Sequence, residues 1–542
     1  MDSSSQKGEE KQRITKVKTF SVPFPLIENQ GNITINANTP SKEQIISQAF
    51  QLHSQGNISE ATKHYQYFIN EGFQDHRVFS NYGVILKNLG KLKEAELSYQ
   101  KAIELKPDYT EAHSNLGNIL RDIGRLKEAE FSYRKAIELE PEFADAHSNL
   151  GIILKGLGKL QEAEFSYRKA IKLKPDYTEA HYNLGNILSD LGKLKEAEFS
   201  YRKAIELKPD YKEAHYNLGN ILSDLGKSKE AEFSYRKAIE IKSDYAEALS
   251  NLGNILKDLE QLQEAEISYR KAIKIKPNLA EAHSNLGNIL KDLGELQQAE
   301  ISTRKAIEIN PDYVEAHSNL GSILHDLGKL KDAELSTHKA IEINPDYAEA
   351  HSNLGGILHD LGKLKDAELS YRKAIKIKPN LADTYFKLFR HYELINNLEK
   401  LKESLNEFNK VDSIENELLL FRSRLSFRNE KHQTAKELID NISHEWIEKS
   451  NNSQNTIFWN YKAFIEDKIG NYDFAYSCFQ KSQDDSSYLK FKKDSYLSLI
   501  NSYKESIIKK KIIFHKFDDG IEDSNLAFLI GFPRSGTTLL DT

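Results

Sequence analysis

Glycine recurs at a spacing of 34 residues, at Gly117, Gly151, Gly185, Gly219, Gly253, Gly287, Gly321 and Gly355. The residues around it recur as well. "EAHSNLGNILRDIGRLKEAEFSYRKAIELEP" at 111–141 returns as "DAHSNLGIILKGLGKLQEAEFSYRKAIKLKP" at 145–175, and again through Pro379. A unit this short cannot bury its apolar side alone, so it must stack on its neighbours. The period therefore predicts a one-dimensional array and excludes a single closed core, whatever the length of 542 residues would otherwise suggest.

Each unit reads as two amphipathic helices. In the unit that starts at Thr110, Ala112, Leu116, Ile119 and Leu120 fall on one face at helical spacing. Gly124 interrupts the pattern, as a residue that can leave a helix at positive φ would. Leu126, Ala129, Tyr133, Ala136, Ile137 and Leu139 then point inward on the second helix, which Pro141 ends. Small Gly117, Ala129 and Ala136 mark a close approach of the two helices, and Glu130 with Arg134 forms an i,i+4 pair on a charged outer face read as solubilising.

A 34-residue helix-turn-helix with Leu, Gly, a second Gly, Ala, Tyr, Ala and Pro in these places resembles the tetratricopeptide repeat. The resemblance implies an all-α fold, a solenoid of helix pairs wound into a right-handed superhelix. Nine clear repeats run over 76–381, and a weaker one at 42–75 keeps Gly56, Ala61 and Tyr65. Degenerate repeats follow at 382–415 and 416–449, the latter keeping Ala435, then an insertion "SNNSQN" and a last repeat at 456–489 with Trp459, Gly470, Ala475 and Phe479. An apolar stripe including Tyr496, Ile500, Tyr503 and Ile507 makes 490–515 a capping helix, and residues 1–41 read as an extended leader. Around the sixth clear repeat Glu260 replaces the second Gly, Ser243 the Pro and Leu249 a His, which suggests a softer joint.

The net charge of −6 with 29% charged residues is nearly balanced, which argues against a nucleic-acid partner. The one cysteine, Cys478, allows no intrachain disulfide and points to a reducing compartment, so a cytoplasmic location is expected. No apolar run has the length of a membrane span, and none is expected to bind one.

Two rows run along the first helices. Asn81, Asn115, Asn149, Asn183, Asn217, Asn251, Asn285, Asn319 and Asn353 would line up on stacking. An amide both donates and accepts, so such a row can bond the backbone of an extended peptide without reading its sequence; otherwise the amides bond neighbouring helices. The repeats are similar to those of O-GlcNAc transferase, whose superhelix uses an asparagine ladder in this way. His113, His147, His181, His215, His283, His317 and His351 form the second row. One histidine per repeat leaves neighbours about 10 Å apart, too far to share a metal ion, so no metal is expected and a packing role is.

The final stretch, "LAFLIGFPRSGTTLLDT", offers a short apolar strand and a glycine-bracketed loop. It has Thr537 where a Walker loop needs lysine, so magnesium-dependent phosphoryl transfer is not expected. It resembles the 5′-phosphosulfate loop of sulfotransferases that use 3′-phosphoadenosine 5′-phosphosulfate, tyrosylprotein-type and tetratricopeptide-fused bacterial members above all. The resemblance implies that Arg534 would act catalytically on the phosphosulfate, and that Arg534, Ser535, Gly536, Thr537 and Thr538 would bind the cofactor. Residues 516–542 would then begin an α/β domain of P-loop type, as a strand-loop remnant too short to fold or turn over substrate alone. The expected function is a superhelix that presents a polypeptide to such a transferase, or else a stand-alone adaptor.

Overall fold

The computed structural model describes residues 41–408, 415–450 and 452–484. The leader, the capping helix and the terminal strand and loop with Arg534–Thr538 lie outside the described residues. Among those described there are 27 helices and no strand. Packing divides the chain into two compact parts, Met1–Leu361 and Gly362–Thr542.

In the first part every repeat is a pair of antiparallel helices of near-constant length, such as Thr110–Asp122 with Leu126–Leu139. The inward residues read from the sequence make the core: Ala112, Ile119, Ala129, Tyr133 and Ala136 are all fully buried. The tyrosine ring lies flat over the glycine of the facing helix, so close that a Cβ on Gly117 would sit 2.9 Å from the Tyr133 ring. The ring's hydroxyl donates to an asparagine one residue past that glycine, Tyr133 to Asn118 Oδ1 at 2.6 Å and Tyr235 to Asn220 Oδ1 at 2.7 Å. Thr303 and Thr337 replace the tyrosine in two repeats and instead donate to the carbonyls of Ala299 and Ala333.

The turn between the helices depends on one left-handed residue. Gly124 has φ 83°, and the next amide, Arg125 N–H, reaches back to the Leu120 carbonyl at 2.8 Å. Glu260 takes the same conformation at φ 60°, and Gln261 N–H closes on Leu256 at 2.8 Å. The turn thus keeps its form without the glycine, and the helices Ala246–Asp258 and Leu262–Ile275 on either side keep the common lengths. What remains is a local cost. A side chain held left-handed costs about 1–2 kcal/mol, so Glu260→Gly should raise stability by about 1 kcal/mol after the extra unfolded-state entropy of glycine is counted. Thermal denaturation of the single variant checks this; an unchanged or lowered midpoint would contradict it.

First helices of consecutive repeats touch one another directly, as Thr178–Asp190 does Lys212–Asp224. Second helices are joined outside that layer by an ion-pair ladder. Lys159 reaches Glu130 at 2.9 Å and Lys193 reaches Glu164 at 2.8 Å, while Arg134 and Arg168 bridge onward to Glu162 and Glu196. The first helices thus form the closer-spaced, inner layer. The outer face is not only charged. Phe131, Phe165, Phe199 and Phe233 stand there 72%, 71%, 71% and 63% exposed, a row that the charge pattern concealed.

The second part continues with helices Leu364–Ile377, Ala382–Leu394 and Leu398–Glu407, then Glu415–Arg428 with His432–Asp440. Tyr385, Phe389, Phe408 and Phe421 pack together here, with Tyr385 and Phe408 rings 4.3 Å apart. Asn396 and Glu430 hold the left-handed turn at φ 55° and 60°. A short helix His444–Lys449, capped by the Ser443 hydroxyl on Trp446 N–H at 3.1 Å, precedes a long one. That long helix, Asn452–Ile469, takes in most of the stretch read as an insertion.

Candidate binding face on the first helices

On a first helix, residues four and seven to eight apart share one side. In Thr178–Asp190 this gives the stripe Tyr182, Asn183, Asn186, Ser189 and Asp190, repeated as Tyr216, Asn217, Asn220, Ser223 and Asp224. The predicted asparagine row falls on it. Asn81, Asn115 and Asn149 are buried, at 0%, 0% and 4% exposure, whereas Asn183, Asn217, Asn251, Asn285, Asn319 and Asn353 are half-buried.

The amide nitrogens of the later members are anchored to the preceding repeat. Asn217 Nδ2 donates to Asn186 Oδ1 at 2.9 Å and Tyr182 Oη at 3.2 Å, and Asn251 does the same to Asn220 and Tyr216. Asn285 donates to Asn254 Oδ1 at 3.0 Å, and Asn319 and Asn353 to the hydroxyls of Ser284 and Ser318. Asn186, Asn220 and Asn254 thereby accept twice, from their own repeat's tyrosine and from the next repeat's amide. This second asparagine row was missed in the sequence, where only its 34-residue recurrence could have signalled it. In Asn217, Asn251, Asn285, Asn319 and Asn353 the carbonyl oxygen accepts nothing among the described residues and is not among the atoms shut off from solvent.

The histidine row packs and bonds. Each Nε2 lies against the carbonyl of the proline that ends the preceding repeat: His113 to Pro107 at 2.9 Å, His147 to Pro141 at 3.0 Å, His181 to Pro175 at 2.9 Å and His283 to Pro277 at 3.1 Å. Where Leu249 stands in the row, Ser243 stands for the proline, so the pair is lost together. Burial holds the pKa of His113, His147, His181 and His283 below the ordinary histidine value. Such a group contributes stability that is present above the unfolded-state pKa of about 6.5 and is lost as pH falls below it. The melting temperature should therefore drop from pH 7 to pH 5.5, before carboxylates titrate. Replacing those four histidines by Leu, as at 249, should flatten the slope; a pH-independent melt of the wild-type chain would contradict the account.

A third row is electrostatic. A basic residue late in one first helix meets an aspartate of the next: Lys155 with Asp190 at 3.1 Å, Lys291 with Asp326 at 3.4 Å, His325 with Asp360 at 2.8 Å, and Lys87 with Asp122 at 3.9 Å. Among the described residues no three His, Cys, Asp or Glu side chains converge as metal ligands would, and no helix is long and apolar enough to cross a membrane.

Two-helix repeats in fixed register, most of them paired internally through a glycine–tyrosine contact, define an α-solenoid of tetratricopeptide type. Family models agree. One described as TPR repeat matches residues 83–120, 117–158, 153–192, 185–226 and 253–294. Others described as Tetratricopeptide repeat match 213–245, 280–313 and 348–381, and 303–334. The chain is a tetratricopeptide-repeat protein. Among solved structures it is similar to YrrB, described as a TPR protein with an unusual peptide-binding site, at 28% identity over 34% of this chain and 95% of that one, TM-score 0.32. It is also similar to MamA, at 28% identity over 30% and 96% with TM-score 0.29, and to PilF of Pseudomonas aeruginosa, at 20% over 38% and 94% with TM-score 0.35. No curated protein matches it.

Proposed function

We propose that the inner layer of first helices binds an extended polypeptide, making the protein an interaction scaffold. The observation that carries this reading is the division of labour in the asparagine amides. Each anchored Nδ2 fixes its own side chain, and the carbonyl on the same amide is left as a pre-oriented acceptor for a peptide N–H, one per repeat. Ordering is already done before the partner arrives, so less of each hydrogen bond is lost to entropy.

Changing Asn217, Asn251 and Asn285 together to Ala tests it, with a random-sequence 12-residue peptide pool as probe. A net contribution of about 1 kcal/mol per hydrogen bond predicts a fall in affinity on the order of 100-fold. Helicity should stay nearly intact. Unchanged peptide affinity together with a lowered melting temperature would leave the amides a purely structural role and overturn the proposal.

A finer reading is that the bound polypeptide is offered to a sulfuryl-transfer domain using 3′-phosphoadenosine 5′-phosphosulfate. What supports it is the motif Gly531–Thr538 with Arg534 inside the loop. Backbone N–H groups at a helix start suit an anionic group. In a protein carrying the complete transferase domain, Arg534→Ala should abolish most sulfate transfer; full activity of that variant would remove the assignment.

A further inference from the structure

The exposed phenylalanines belong to a longer row. From Leu97 to Leu335 one position of the second helix is apolar in eight successive repeats, and each of these side chains is more than half exposed. Single exposed apolar residues are ordinary on a protein surface, whereas a contiguous apolar feature marks a contact. The members change size along the chain. Phe199 and Phe233 are 71% and 63% exposed, and Ile267 and Ile301 follow them at 52% and 69%.

Beside each isoleucine the groove between consecutive second helices is open. At Ile267 it holds a hollow of about 520 Å³, lined by Ile239, Leu249 and Leu252. At Ile301 it holds one of about 680 Å³, lined at the equivalent places by Ile273 and Leu286 and further along by Leu290. Two projecting rings one repeat apart are therefore followed by two apolar hollows one repeat apart. Most of the charges at the rims already have partners: Arg236 pairs with Glu264, Arg270 with Glu266 and Lys305 with Glu308, each at 2.7 Å. Lys271 and Lys274 are exposed, and their flexible stems can keep the ammonium groups in water. The contact this face has left to make is apolar.

We propose that its occupant is a second copy of this chain. A half-turn about an axis between Phe233 and the Ile267 hollow reverses the order of the row. Phe233 of one copy then enters the Ile267 hollow of the other, and Phe199 enters the Ile301 hollow. The same rotation seats the second copy's rings in the first copy's hollows, so the interface is isologous and closes as a dimer. Shape identifies the occupant: it must bring two rings and two hollows at the repeat spacing, in opposite order, and this chain brings both. Two rings and two isoleucines at these exposures, with the hollow walls, offer on the order of 500 Å² per copy. A symmetric pair thereby reaches about the 1,000 Å² at which specific interfaces begin, which predicts association in the micromolar range. The inner layer takes no part and stays open to polypeptide.

Sedimentation velocity of the full chain tests the pairing. The wild-type chain should pass from monomer to dimer across the micromolar range. Phe199→Lys with Phe233→Lys, and separately Ile267→Glu with Ile301→Glu, should each weaken association by about tenfold or more, as loss of buried apolar anchors does. Mixed one to one, the two variants should pair again, because lysine then faces glutamate in one half of the interface and phenylalanine faces isoleucine in the other. Circular dichroism checks that both keep their helices. A wild-type chain still monomeric at about 100 μM would leave the row to another kind of partner and overturn the proposal. A dimer that survives Phe199→Lys with Phe233→Lys, or a mixture that stays monomeric, would overturn it as well.

Discussion

Gly219→Val is expected to unfold the repeats around it, with a loss of about 3 kcal/mol or more, at the upper end for overpacked cores. Even the first carbon of a side chain there would lie 2.6 Å from the Tyr235 ring. The ring has no room to yield, being 2% exposed and tied by its hydroxyl to Asn220 at 2.7 Å. Gly226→Ala, at a left-handed turn with open space around it, should cost only about 1 kcal/mol of backbone strain. Denaturant titration should show that order. Adding Tyr235→Ala to Gly219→Val should recover part of the loss, because the two side chains compete for one volume. A Gly219→Val midpoint equal to wild type would refute the glycine–tyrosine contact as the reason for the 34-residue glycine.

Lys436→Met is expected to cost about 3–5 kcal/mol, the range for stripping the partner from a buried charge. The Glu466 side chain is 1% exposed and pairs with Lys436, while Asn471 Nδ2 donates to its other oxygen at 3.1 Å. With the ammonium gone, the carboxylate is left with one neutral donor. Adding Glu466→Gln to Lys436→Met removes the orphaned charge and should restore most of the stability. Hydrogen exchange localises the effect: amides of Asn452–Ile469 should lose protection and those of Thr110–Asp122 should not. Equal stability of Lys436→Met and wild type would mean that the pair contributes nothing.

The fold was legible because every constraint on it repeats inside one unit. Gly117, Tyr133, Ala129 and Ala136 are near enough in sequence for their spacing to betray the helix pair, and all four are buried, whereas Leu126, Ile137 and Leu139, also read as inward, are only half-buried. The candidate binding face was legible only in part, because its contacts join different repeats. Asn217 meets Asn186 and Tyr182 across 31 and 35 residues, an offset on neither side equal to the period. Spacing alone could place a row of amides but could not say which end of each was already used. The outer phenylalanines were hidden for another reason: Phe131 is flanked by Glu130 and Arg134, and a charged pattern reads as wet whatever stands between. The terminal loop shows the opposite case, a motif read within the local stretch 526–542, which lies outside the described residues.

The central claim is that polypeptide lies along the first helices and not on the exposed phenylalanines of the second. A photo-crosslinking residue installed singly at Ser223, on the inner stripe, or at Phe199, on the outer row, measures this directly with a random-sequence peptide pool. Crosslinked peptide is expected from position 223, reduced in the chain that also carries Asn217→Ala, Asn251→Ala and Asn285→Ala, with little from position 199. Crosslinking from position 199 and none from 223 would place the partner on the outer face and contradict the account.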